Sequence, residues 1–373
     1  MRDREGGFDT EIAIVGGGPA GLSAWLHLHA LAPELAAKAV LFEKATYPRD
    51  KLCGGGVTAI GDLLLRGMGI DIECPSIAVH RVEFRFGTAM EALQQPNVMR
   101  VVRRLDFDNA LAQAAVDRGL DLRQGEAFVG INMESDALRI HTTRGEYRVQ
   151  VLVGADGAQS GVRHALGMDD ESRLARLIEM VGPVDAERAP EFGGPTAVFD
   201  FGPMASGVQG YTWHFPCLEE GAAAVNRGIY DSRIHPQRDR ADLRSVFATA
   251  LAQAGVDSQS AGWKSSPVRW FSPIGPFARP HAFLIGDAAG VDAFLGEGIA
   301  PSLDYGDFAA NVLIDAFGRG DFGFATFQDR LLSHPVGRLL ATRGMIAARA
   351  YSDNATLAGL LPLMLMYWAG QTA

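Results

Sequence analysis

Two hydrophobic rhythms divide the chain. Ile12-Ala13-Ile14-Val15 is a short continuous apolar run, as a strand buried on both faces requires, and it enters Gly16-Gly17-Gly18-Pro19-Ala20-Gly21. Leu22, Trp25, Leu28 and Leu31 then recur at helical spacing until Pro33 ends the helix. Ala39-Val40-Leu41-Phe42 is a second buried strand closing on Glu43, so the chain opens as a strand–helix–strand unit. Gly54-Gly55-Gly56 leads a helical segment predicted over 59–66. Val82, Phe84 and Phe86 alternate with Arg81, Glu83 and Arg85 up to a turn at Gly87. Residues 100–103 read as extended, and 106–118 as a helix with Phe107, Ala110, Leu111 and Ala114 on one face. A strand over 147–153 runs into Gly154-Ala155-Asp156-Gly157.

From about 172 to 276 the rhythm changes. Gly, Pro and aromatic residues rise, with strand-like runs over 197–201, 211–215 and 222–229 and one helix over 239–254. This pattern predicts an antiparallel sheet inserted into the α/β domain. Ala282-Phe283-Leu284-Ile285 restores the buried-strand signature before Gly286-Asp287-Ala288-Ala289-Gly290, and helices follow from about 299. The expected division is a discontinuous Rossmann-like domain (8–75, 98–170 and 278–320), a sheet domain (76–97 and 171–277) and a C-terminal helical segment (321–373).

Composition narrows the function. The 373 residues carry 34 basic and 44 acidic side chains, a formal charge of −10, which argues against nucleic acid as partner. Cys53, Cys74 and Cys217 are too few and too scattered for a disulfide scaffold, and the nine histidines show no metal-ligand spacing, so no metal is expected. Nothing near the start resembles a secretory signal, which makes a cytoplasmic protein the expectation. The greasy tail over 355–370 reads as a terminal helix on the core; a substrate-tunnel wall or a peripheral membrane contact is the alternative.

Chemistry concentrates at glycine. Gly16-x-Gly18-x-x-Gly21 sits between a strand and a helix, where the first glycine turns the chain, the second lets a pyrophosphate approach, and the third packs helix on strand. Glu43, 22 residues past Gly21, ends the next strand in the position that pairs with a ribose diol. Tyr211, Trp213 and Phe215 alternate, which puts three rings on one strand face and His214 on the other.

These segments resemble the FAD-binding flavoproteins of the p-hydroxybenzoate-hydroxylase-like superfamily. Gly154-Ala155-Asp156-Gly157-x-x-Ser160-x-Val162-Arg163 is similar to its second motif, which implies Asp156 and Gly157 near the FAD pyrophosphate. Gly286-Asp287-Ala288-Ala289-Gly290 is similar to its third, which implies Asp287 at the ribityl chain. Gly296-Glu297-Gly298 then implies a helix N-terminus at the flavin pyrimidine edge, and Arg104-x-x-Phe107-Asp108 an arginine near the phosphates. The resemblance makes the discontinuous domain an FAD-binding domain and the sheet domain a substrate domain.

Lys51-x-Cys53-Gly54-Gly55-Gly56 and Tyr211-x-Trp213-x-Phe215-Pro216 further resemble the geranylgeranyl-reductase branch. The resemblance implies Cys53 and Gly54 over the flavin and Tyr211, Trp213 and Phe215 around an apolar or aromatic substrate. Cys217 stands where that branch usually carries Lys, and Glu219-Glu220 follow, which disfavours a prenyl diphosphate. The expected activity is flavin hydride transfer to a C=C bond. The alternatives are a flavin monooxygenase, acting through a C4a-hydroperoxide on a small aromatic or a partner-protein residue, and a non-catalytic flavin-binding or partner-maturation protein. No second nucleotide unit is evident, so NAD(P)H docking transiently or a separate flavin reductase is the expected electron donor.

Overall fold

In this computed structural model, residues 8–170, 173–256 and 262–352 are described, together with Pro362. The tail over 355–370, expected as a terminal helix on the core with a tunnel wall or membrane contact as the alternative, therefore lies almost wholly outside the described residues. Among the described residues no helix is long and apolar enough to cross a membrane.

The apolar runs become one parallel core. Its strand order is Ala278–Arg279, Ala282–Leu284, Glu146–Gly154, Thr10–Val15, Ala39–Glu43 and Asp121–Gln124, parallel except for the first pair. Ile12, Ile14, Leu41, Val151, Leu152 and Phe283 are completely buried, as a sheet covered on both faces demands. The helices Pro19–Leu31 and Ile299–Arg319 pack directly on each other. A Cβ on Gly306 would overlap Ser23, whose hydroxyl donates to the Leu303 carbonyl at 2.7 Å.

A second eight-stranded sheet runs Lys264–Arg269, Leu174–Pro183, Ala222–Asp231, Gly210–Glu219, Thr196–Asp200, Ser76–Phe86, Ala89–Val102 and Gly56–Thr58. It is antiparallel except between Thr196–Asp200 and Ser76–Phe86. The hairpin at its centre turns on Glu220 and Gly221, both with positive φ (51° and 81°), a two-residue connection whose twist suits a hairpin. That turn pairs Glu219 with Ala222 and so sets Phe215 opposite Asn226, Trp213 opposite Gly228 and Tyr211 opposite Tyr230.

Several elements differ from the sequence pattern. Residues 100–103 do not form a separate extended piece: 100–102 end the long strand Ala89–Val102. That strand tolerates Pro96 because the ladder jumps from Val79–Met99 to Arg81–Gln94, leaving the proline unpaired in a bulge. Gly56–Thr58 is a short strand of the second sheet ahead of the helix Ala59–Gly67. The helix expected over 239–254 starts at Leu243, where the Asp242 carboxylate accepts from the Ser245 N–H.

Gly306→Ala is expected to separate the two packed helices and to cost about 1–3 kcal/mol of stability, as overpacking of a close contact does. Urea unfolding of the purified protein measures it.

Candidate active site

A cavity of about 650 Å³ opens between the two sheets. Fifteen of the seventeen residues singled out from sequence line it: Gly16, Gly18, Glu43, Lys51, Cys53, Gly54, Arg104, Asp156, Gly157, Tyr211, Trp213, Phe215, Asp287, Gly296 and Gly298. Gly21 and Gly286 do not. They work behind the wall, where a Cβ on Gly21 would overlap the Gly16 carbonyl and one on Gly286 would crowd Ala20 at 2.5 Å.

The two long helices begin at this cavity, at Gly18 and Gly298, with no capping side chain and no acid in the first turn. Their first N–H groups and the positive ends of their dipoles are thus left for an anion. A Cβ on Gly18 would meet no protein atom within 4 Å, so the space above that glycine is open to the cavity. Gly16, by contrast, is required by the chain itself: its φ is 108°, and a Cβ would overlap the Ala155 carbonyl.

The charged side chains are held by one another. Glu43 accepts from the Gly17 N–H at 2.8 Å and the Ala45 N–H at 2.9 Å, which fixes its carboxylate at the cavity wall. Arg104 grips Asp108 through two bonds of 2.7 and 2.8 Å, and Arg49 adds a contact of 3.1 Å to the same carboxylate. Lys51 stands 3.7 Å from Asp287. Asp156 is turned away from the cavity, bonded by the Ser160 hydroxyl and by the Val162 N–H at 3.1 Å. Arg163 ties that segment to the next motif by donating to the Ala288 carbonyl at 2.8 Å.

The opposite wall is aromatic. Tyr211, Trp213 and Phe215 share one face with Phe199 and Tyr230, while His214 lies on the other face beside Arg227. Burial there, together with Arg227 and Arg85, pushes the His214 imidazole down to about 3, so it is neutral. The Trp213 N–H donates to Asn226 at 2.8 Å, and the Asn226 amide donates to the Cys53 carbonyl at 3.0 Å. A Cβ on Gly54 would sit 3.1 Å from the Phe215 ring and 3.4 Å from the Trp213 nitrogen, so the loop lies close against the aromatics and a side chain there would have to push them back slightly.

Asn226 was within reach of sequence reasoning, because the Glu220-Gly221 turn pairs it with Phe215. Glu179 gave no sequence signal. It lies in register with Gly228 on the aromatic face, beside Arg103 at 3.9 Å, and its Oε2 has no partner among the described residues. Burial pushes its carboxyl up to about 8, against the pull of Arg103 and the Cys53 backbone.

The chain belongs to the FAD-binding domain family, which it matches over residues 9–292, and it is by class an FAD-dependent oxidoreductase. It is 27% identical over 323 residues to menaquinone reductase of Mycolicibacterium smegmatis, covering 82% of this chain and 76% of that one. Its fold is similar to that of a geranylgeranyl bacteriochlorophyll reductase-like protein from Thermoplasma acidophilum (TM-score 0.75, 20% identity, 97% of both chains). It is also similar to p-nitrophenol 4-monooxygenase of Pseudomonas putida (TM-score 0.70, 16% identity, 97% of this chain and 94% of that one). The uncapped helix ends and the open space at Gly18 fit the diphosphate of FAD.

Gly18→Asp is expected to yield a folded, colourless protein, since its Cβ meets no protein atom within 4 Å and its carboxylate would oppose a bound diphosphate; absorbance between 350 and 500 nm, roughly the flavin region, reads it against circular dichroism. Glu179 gives a pH signature. Its folded value lies above its ordinary 4.5, so its contribution is fully present below 4.5 and is lost as pH rises through about 8. Glu179→Gln should therefore raise the melting temperature at pH 8 and above, with the gain shrinking toward pH 5.

Proposed function

We propose that this protein is a flavin-dependent reductase that saturates a C=C bond in an apolar, isoprenoid-like substrate whose head group is uncharged. FAD, when bound and reduced, supplies the hydride. In this reading its diphosphate lies along Gly16–Gly18 and Gly157, its ribose at Glu43, and its ring between the Cys53–Gly56 loop and Gly296–Gly298. Tyr211, Trp213 and Phe215 pack the substrate chain and keep water out. The Cys53 thiol, at the flavin side of the cavity, gives the proton that the second carbon needs, and solvent restores it.

The observation that carries the reading is the charge pairing beside the aromatic wall. Arg103 is taken by Glu219 at 2.6 Å, and Lys264 by Asp50 at 2.6 Å. The group thus pairs two carboxylates with two cations, so it offers no net positive charge to a diphosphate. Cys217, buried and with its thiol pushed up to about 11, supplies no cation either. The name of the mycobacterial relative, a menaquinone reductase, accords with a neutral prenylated substrate.

The second reading, a monooxygenase, is favoured by that same missing lysine. The two separate cleanly. Protein reduced with dithionite is mixed, without oxygen, with a short-chain menaquinone or with geranylgeranyl diphosphate, and the products are weighed by mass spectrometry. Two added hydrogens on the quinone side chain, at a rate at least tenfold above that on the diphosphate, are expected. An added oxygen atom, appearing only when air is admitted, would overturn the reductase reading. Cys53→Ala should retain FAD and lose about 10²-fold or more in rate, the range that removal of a general acid costs.

A further inference from the structure

The cavity loop that runs from Asp292 to Gly298 is held in an unusual way. Three consecutive carbonyls each accept a tyrosine hydroxyl: Ala293 from Tyr230 at 3.1 Å, Phe294 from Tyr351 at 2.6 Å, and Leu295 from Tyr211. All three tyrosines are essentially buried, at 1%, 0% and 4% exposed in that order. Two come from the hairpin of the substrate sheet, and the third from the end of the C-terminal helix Pro335–Ala350. The Asp292 carboxylate takes the Phe294 and Leu295 N–H groups at 2.7 and 3.1 Å. From the same C-terminal helix, Arg343 reaches Glu297 at 2.7 Å, and Glu297 accepts from Thr58 at 2.9 Å.

This arrangement has a directional consequence. A trans peptide is planar, so its N–H points opposite to its carbonyl. Holding the Leu295 carbonyl on Tyr211 therefore fixes the direction of the N–H of Gly296, a residue of the cavity wall. Gly298, two residues on, starts the helix whose positive end faces the cavity.

We propose that Tyr211, Tyr230 and Tyr351 act as a clamp that positions the Gly296–Gly298 backbone against the flavin ring and thereby sets the flavin's reduction potential. Because Tyr211 and Tyr230 also line the substrate cavity, the clamp joins the substrate wall to the redox centre through a hydrogen bond at each ring. All three are positioning residues; they act through the loop. The proposal rests on the reading that the flavin ring sits against Gly296–Gly298.

Tyr351 makes the test clean, since it does not line the cavity and Tyr351→Phe removes one hydroxyl while leaving every cavity wall in place. The holoenzyme's midpoint potential is measured by dye equilibration, with FAD dissociation constants from fluorescence titration of the apoprotein. Loosening the loop weakens its hold on the more negative reduced ring more than on the oxidised one. The expected result is about a tenfold rise in the reduced-to-oxidised ratio of dissociation constants, which lowers a two-electron potential by about 30 mV. Tyr230→Phe should move it the same way. A potential equal to wild type in both, with only the melting temperature lowered, would overturn the clamp, since a structural role alone predicts that outcome. Gly298→Ala separates this failure from that of the underlying reading. If Gly298→Ala shifts the potential and Tyr351→Phe does not, the clamp is wrong; if Gly298→Ala changes neither spectrum nor potential, the ring seat itself is wrong.

Discussion

Two helices that start at bare glycine, side by side on one cavity, impose the constraint around which the molecule is arranged. Their dipoles point the same way, no side chain caps either, and neither first turn carries an acid. Like poles repel, and the first-turn N–H groups, to which Pro19 and Pro301 contribute none, are left without helical partners. Both ends open on the cavity and would suit the negative charge that a bound FAD brings to them.

The second sheet serves that core by carrying an aromatic wall to it. The layers are joined by apolar packing, with Phe294 stacked on Phe201, and by buried hydrogen bonds from Asn226 to Cys53 and from the tyrosines to the loop beyond Asp292. Buried hydrogen bonds of this kind contribute modestly to stability but cost much when half-broken. They leave the layers one relative placement in which every group is satisfied, and it puts the Cys53 loop under the aromatic rings.

Much of the fold was legible in the chain because its signals are local. The strand Thr10–Val15, the helix after it and Glu43 follow from apolar spacing and glycine chemistry alone, and so does the aromatic face of Gly210–Glu219. The strand Leu174–Pro183 was not legible, because one of its faces meets the cavity and the other meets the helix Leu243–Gln253, which erases simple alternation. Pro96 concealed the length of Ala89–Val102, since only the bulge opposite His80 explains how a proline sits there. Of the candidate site residues, glycines with a backbone reason and rings with a periodic reason were found. Glu179, Tyr230 and Tyr351 escaped, for their roles come from register and from contacts between elements far apart in the chain, 57 residues for Tyr351 and Phe294.

The turn at Glu220 and Gly221 looks like the least consequential part of the molecule, an exposed loop tip outside the lining of the cavity. Strand side chains alternate with a period of two, so the turn's length decides which set of the returning strand looks inward. With one residue more, Asn226, Gly228 and Tyr230 would exchange places with Arg227 and Ile229 beneath the rings. The indole would lose its acceptor and meet a guanidinium, and the apolar wall would become a charged one. An insertion or deletion at this tip is thus a single genetic step between substrate chemistries, and it leaves every flavin motif intact.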